Sequence, residues 1–138
     1  MKDDIQAIDT NVIVRYITRD NEALYKRAVR LLSSAFLYFE VDDIAISETI
    51  YVLERTHYAL SRQEIVRYLL DFLEIPSVVC RNRDVVRDAF SLYLAHPALS
   101  FNDCYLAVKT ALLFEEPLWT FDKKLAKQSG MAKLVSAA

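Results

Sequence analysis

Apolar positions along the 138-residue chain fall into short runs separated by stretches with three- and four-residue spacing, a pattern of strands interleaved with amphipathic helices. Residues 5–8 read as a first strand, broken by Asp9-Thr10-Asn11. Residues 12–17 follow as a turn or two of helix. Residues 22–36 form a helix with Leu24, Ala28, Leu31 and Ala35 on one face. Residues 44–46 read as a second strand, after which Ser47 opens a helix carrying Ile50, Leu53 and His57 on one stripe. Ser61-Arg62-Gln63-Glu64 is a capping-box pattern and predicts a helix to about Leu73. Pro76 introduces a third strand at 77–80, and Asn82 opens a helix to about Ala95. Ser100 starts a helix to Phe114 that is apolar on nearly all sides, which predicts a buried, central position. Residues 117–120, 122–128 and 133–135 read as strand, short helix and last strand.

Strands alternating with helices predict an α/β fold with a mostly parallel sheet covered on both faces. No repeat or linker-like stretch divides residues 1–138, which read as one domain. With Gly130 as the single glycine, turns rest on Asn, Asp, Ser and Pro. No apolar run exceeds the five residues of 35–39 and 104–108, so no membrane span is predicted, and the N-terminus carries no apolar signal core. Cys80 and Cys104 lack metal-type spacing and read as reduced core residues of a cytoplasmic protein. His57 and His96 are too far apart for a His-based zinc site. A formal net charge of −2, from 17 basic and 19 acidic side chains, excludes nucleic-acid binding by bulk charge. Any such role must rest on local charge or on bound metal.

Open parallel sheets bind ligands beyond the carboxyl ends of their strands. Three acids follow predicted strands there: Asp9 after Ile8, Glu48 two residues after Ile46, and Asp122 two after Thr120. Asp103, in the first turn of the apolar helix, can face the same edge. Asp42 and Asp43 precede the second predicted strand, at the opposite edge. Each acid also has an ordinary structural reading. Asp9 and Asp122 suit N-caps, Glu48 suits a first helical turn, and Asp103 suits a capping box with Ser100. Together, four carboxylates repel: a like-charged pair at ~4 Å costs about 4 kcal/mol at an effective dielectric near 20. A hard divalent cation such as Mg²⁺ or Mn²⁺ offsets this and prefers oxygen ligands. Such a centre suits phosphodiester hydrolysis, acidifying a water and neutralising charge on the phosphate.

Four runs carry a family resemblance. They are Ala7-Ile8-Asp9-Thr10-Asn11-Val12-Ile13, Ile46-Ser47-Glu48-Thr49, Phe101-Asn102-Asp103-Cys104-Tyr105-Leu106-Ala107 and Leu118-Trp119-Thr120-Phe121-Asp122-Lys123-Lys124-Leu125. In order and spacing the chain resembles the PIN-domain nucleases over essentially its whole length, closest to the VapC-like ribonuclease toxins of toxin–antitoxin pairs. The resemblance implies a three-layer sandwich with a mostly parallel five-stranded sheet flanked by helices. It implies that Asp9, Glu48, Asp103 and Asp122 are the catalytic carboxylates and bind Mg²⁺ or Mn²⁺. Thr120 would stand behind Asp122, and Asn11 would steady the Asp9 loop. The implied reaction is metal-activated hydrolysis of RNA, leaving 5′-phosphate and 3′-hydroxyl ends. Two departures bear on substrate fit: Glu115-Glu116-Pro117 where relatives often carry small residues, and Cys104-Tyr105 in place of Ala-Leu.

RNA contact requires local cations, and Arg15, Arg19, Lys123 and Lys124 flank the acids; Lys26, Arg27 and Arg30 cluster on the second helix. The resemblance also implies a homodimer and an antitoxin partner. Tyr51, Tyr58, Tyr68, Leu69 and Phe72 are a candidate surface for that partner, though their helical spacing serves a core equally well. A haloacid-dehalogenase-type phosphatase would need a second acid where Asn11 stands, and a receiver domain needs paired acids after its first strand. The alternative of a different class is a catalytically silent PIN-like module that binds RNA or assembles complexes.

Overall fold

The computed structural model describes residues 5–55 and 57–136. Its elements run β1 (Ile5–Ala7), α1 (Thr10–Thr18), α2 (Glu22–Leu32), β2 (Tyr38–Glu40), α3 (Asp43–Glu54), α4 (Arg62–Leu73) and β3 (Val78–Val79). They continue with α5 (Arg83–Ala95), α6 (Phe101–Phe114), β4 (Leu118–Thr120), α7 (Lys123–Ser129) and β5 (Ala132–Leu134). The fold class is α/β, and every strand pairing is parallel. The chain forms two compact units, Met1–Arg81 and Asn82–Ala138. Accordingly the five strands are found as a three-stranded sheet, β1-β2-β3, and a two-stranded one, β4-β5.

In the first unit, Ile5 pairs with Tyr38 and Ala7 with Glu40, while Phe39 pairs with Val78. Ile13 and Val14 of α1, Ile46, Ile50 and Leu53 of α3, and Ile65, Leu69 and Phe72 of α4 build the core with Phe39. Helix α1 packs against α2, α3 and α4, so the helix that starts at the candidate Asp9 is held on three sides. The Tyr16 ring meets Phe72 edge-on, with centroids 5.4 Å apart. Buried Ser77 donates to the Leu32 carbonyl at 2.6 Å, tying the end of α2 to the start of β3.

The second predicted strand is corrected. Residues 44–46 are helical, within α3, and the strand lies earlier, at Tyr38–Glu40. The cause is local. The Asp42 side chain accepts the Ile44 N–H at 2.9 Å and starts α3 there. Upstream, Ser34 Oγ accepts from the backbone of both Phe36 and Leu37, so α2 stops at Leu32 rather than running to 36. That frees the next apolar residues for the central position in the sheet. Leu69 and Phe72, offered as partner surface, are core residues at 0% and 1% exposure.

In the second unit, α5 and α6 pack along their length. Ala89, Cys104 and Ala107 are fully buried, and Phe101 nests between the Phe90 and Tyr93 rings. Helix α6 is not buried on all sides: Leu106, Leu112, Leu113 and Phe114 are exposed, while Phe101, Cys104, Ala107 and Val108 face the core. Helix α6 ends at Glu115 in a left-handed conformation, φ 56°, a position glycine usually takes. Both cysteines are buried and form no disulfide.

The corner between α1 and α2 is locked by Asp20. Its carboxylate accepts from Arg15 through both oxygens at 2.9 Å, from Thr18 Oγ1 at 3.0 Å and from the Tyr58 hydroxyl at 2.5 Å. Chiefly through the Tyr58 hydroxyl, these donors hold the Asp20 carboxyl down at about 2. The stability it contributes is therefore present above the unfolded carboxylate value of about 4 and is lost as pH falls through about 2. Tyr58→Phe should return the Asp20 carboxyl toward its ordinary range in an NMR titration. It should also lower stability by about 1 kcal/mol at neutral pH, the bond being only partly shielded from water. In urea melts, the gap between wild type and variant should close as pH falls through about 2.

Candidate active site

Two of the candidate acids occupy equivalent places. Asp9 lies two residues beyond the end of β1 and Asp122 two beyond the end of β4, and each is the N-cap of the following helix. Asp9 Oδ1 accepts from the backbone of Asn11 and Val12 at 3.1 and 3.3 Å. Asp122 Oδ1 accepts from Lys124 and Leu125 at 2.9 and 3.2 Å. Backbone donors at a helix N-terminus favour an anionic side chain, so the turn suits a carboxylate electrostatically. Only one oxygen of each is used. Among the described residues, Oδ2 of both accepts no protein hydrogen bond.

Glu48 does not follow a strand, as the sequence suggested, because residues 44–46 are helical. It stands in the second turn of α3 and is exposed. Thr10, which the sequence reading passed over, links it to the Asp9 turn: Thr10 Oγ1 donates to Glu48 Oε2 at 3.0 Å. The signal for that bond was the hydroxyl residue directly after Asp9, at the first position of α1. Asp103 is the third residue of α6 and half-buried, and its backbone N–H donates to Ser100 Oγ at 3.2 Å. The Asp103 carboxylate has no protein partner among the described residues. Thr120 Oγ1 accepts the Asp122 N–H at 2.9 Å and fixes the approach to the α7 cap. Asn11 acts on Asp9 through its backbone N–H.

Asp42, set aside as lying at the wrong edge, stands two residues beyond the carboxyl end of β2, in the same relation to its strand as Asp9. The relocation of the strand moves it there, and it caps α3. Of the cations, Arg15 is engaged by Asp20 and Arg19 by Glu22 at 3.3 Å, whereas Lys123 and Lys124 are exposed beside Asp122. Within the first unit Thr10 ties Glu48 to the turn that begins at Asp9; Asp103 and Asp122 belong to the second unit. Among the described residues, no three His, Cys, Asp or Glu side chains are gathered closely enough to hold a metal by themselves.

The sequence model of the PIN domain matches residues 7–130, which takes in all four acids and both units. The chain belongs to the PIN-domain family. PIN domains are generally metal-dependent nucleases that act on RNA, usually with divalent cations. A comparison with curated proteins finds no match. Among the described residues of this PIN domain, no helix is long and apolar enough to cross a membrane.

The capping geometry separates structure from chemistry at Asp9. Asparagine caps a helix about as well as aspartate, whereas alanine costs about 1 kcal/mol. Asp9→Asn and Asp122→Asn should therefore keep stability within a few tenths of a kcal/mol in urea denaturation, and Asp9→Ala should lose about 1 kcal/mol.

Proposed function

We propose that this PIN domain is a Mg²⁺- or Mn²⁺-dependent endoribonuclease, residues 1–138 working as one nuclease domain, and the toxin of a toxin–antitoxin pair. The observation that carries the reading is the unused oxygen at each candidate acid. Asp9 and Asp122 are capped through Oδ1 only, Glu48 is held through Oε2 only, and Asp103 is half-buried without a protein donor among the described residues. A donor set of carboxylate oxygens fits a hard divalent cation. Asp9, Glu48, Asp103 and Asp122 would hold it. When bound, the cation supplies an acidified water and offsets charge on the phosphate.

The chain's own residues then orient and restrain. The α1 and α7 N-termini fix one oxygen of Asp9 and Asp122, which sets the direction of the other. Thr10 limits the swing of Glu48, and Thr120 fixes the backbone before Asp122. Lys123 and Lys124 beside Asp122 are positioned to meet a polyanion, and Arg15 and Arg19 would do so only by sharing their carboxylate partners. The exposed end of α6, with Leu112, Leu113 and Phe114, supports a homodimer or an antitoxin contact. Cys80 and Cys104, buried and not joined in a disulfide, suit a reducing compartment such as the cytoplasm. The competing reading is a silent PIN-like module, favoured by the capping roles of Asp9 and Asp122, which are sufficient to retain both residues without chemistry.

The experiment is cleavage of end-labelled RNA from a structured pool with Mg²⁺, Mn²⁺ or EDTA, using partner-free protein. Wild type should cut only with metal, and Asp9→Asn and Asp103→Asn should each cut at least about a hundredfold more slowly. Metal should also raise the melting temperature of wild type by a few degrees and that of Asp9→Asn by less. Folded wild type that binds RNA, does not cut it, and shows no metal-dependent melting shift would establish the silent module instead.

A further inference from the structure

Two open cavities lie along α1 and α2 in the first unit. The larger, about 450 Å³, is bordered by Asn11, Val12, Arg15, Leu24, Arg27 and Leu31. The second, about 380 Å³, is bordered by Arg27, Arg30, Leu31 and Ser34. Arg27 and Leu31 line both, so the two adjoin and are together termed a trough. It reaches Asn11 and Val12, the residues whose backbone N–H groups bind Asp9.

The charges along the trough are unequal. Arg15 is matched by both oxygens of Asp20, and Arg19 by Glu22. Arg27 and Arg30 are exposed and make no ion pair among the described residues. Lys26 stands four residues before Arg30, and like charges at that spacing destabilise a helix. Arg30 complements the dipole at the last turn of α2, a small benefit at an exposed position, and both arginines are left open to an anion in a chain whose net charge is −2. The trough walls are apolar at Val12, Leu24 and Leu31, which suits the face of a base. Ser34 also accepts the Phe36 N–H, and the Phe36 ring is 84% exposed. Unmatched cations beside an apolar groove and a free aromatic ring are the parts of a single-strand nucleic-acid platform.

We propose that this trough binds a single-stranded segment of the RNA substrate, with Arg27 and Arg30 on its phosphates and Phe36 stacked on a base. The proposal rests on the ribonuclease reading and names how the substrate is led to Asp9. The apolar walls and the exposed Phe36 ring offer stacking to bases that a duplex keeps paired, so the expected ligand is unpaired RNA.

The test is fluorescence anisotropy of a labelled 12-nucleotide single strand and of its duplex, with the full chain in EDTA over a range of salt. Arg27→Gln/Arg30→Gln should weaken single-strand binding about tenfold or more. It should also reduce the slope of log affinity against log salt by about 1.4, for two phosphate contacts on a single strand. Phe36→Ala should weaken binding about fivefold or more without changing the slope. The charge-matched control Arg67→Gln/Arg87→Gln should change affinity less than twofold, and thermal melts should report all variants folded. An unchanged slope in Arg27→Gln/Arg30→Gln overturns the proposal and leaves the trough to a protein segment. An equal loss in the control, or duplex binding as tight as single strand, overturns it too. If wild type cuts RNA with metal while the trough variants bind normally, only the trough reading falls. If wild type neither cuts nor binds, the ribonuclease reading falls and the trough with it.

Discussion

A chain with one glycine must turn by other means, and this one turns on side-chain oxygens. Six of the seven helices among the described residues begin with a side chain accepting a backbone N–H: Asp9, Asn21, Asp42, Ser61, Ser100 and Asp122. Each such bond satisfies a donor that a helix otherwise leaves open. Where a cap follows a strand directly, it also decides where the strand stops. At Asp9 and Asp122 the capping residue is a carboxylate with a second oxygen to spare. A structural role at these positions therefore leaves room for a chemical one. The cap uses one oxygen, and in doing so orients the other.

The legible parts of the sequence were those with a local chemical signal. Ser61 and Glu64 form the reciprocal capping box that their spacing predicted, and α4 runs from Arg62 to Leu73. Ser100 and Asp122 start α6 and α7 where the pattern placed them. The second strand was not legible, because residues 44–46 and the run at 35–39 are both short and apolar, and periodicity does not separate a short strand from a buried helical turn. Capping by Asp42 and the Ser34 turn decide between them. Both are side-chain bonds whose geometry depends on the folded backbone. The same error displaced Glu48 and Asp42 relative to the sheet, and the Thr10–Glu48 bond spans 38 residues that no local pattern connects.

The burial of α6 is hidden from the sequence for a different reason. Its composition is apolar almost throughout, yet composition does not specify which face meets α5. Burial does: the small residues Cys104 and Ala107 are fully buried, as is Ala89 of α5, while the larger Leu106, Leu112 and Leu113 are left outside. The helix then ends at Glu115 with positive φ, where the usual glycine is absent. Glutamate in that conformation costs on the order of 1 kcal/mol, and the Glu115 N–H closes the helix end on the Ala111 carbonyl at 3.1 Å. Asp122 lies seven residues further on, beyond β4.

Charge separates the acids from the cations by function as well as by sign. Arg15 and Arg19 looked suited to RNA from their position near Asp9, but each has a carboxylate of its own within the α1–α2 corner. Using them on a phosphate means breaking those pairs, with Asp20 left to Thr18 and Tyr58. Arg27 and Arg30 carry no such cost. A protein with a slightly negative total charge can still attract a polyanion if its unmatched cations are gathered on one helix while others are neutralised in place. The acids near the strand ends would repel that polyanion unless a divalent cation reverses their local charge. On the proposed reading, metal loading and RNA capture would be coupled electrostatically, with the arginines of α2 providing the part of the attraction that does not depend on the metal.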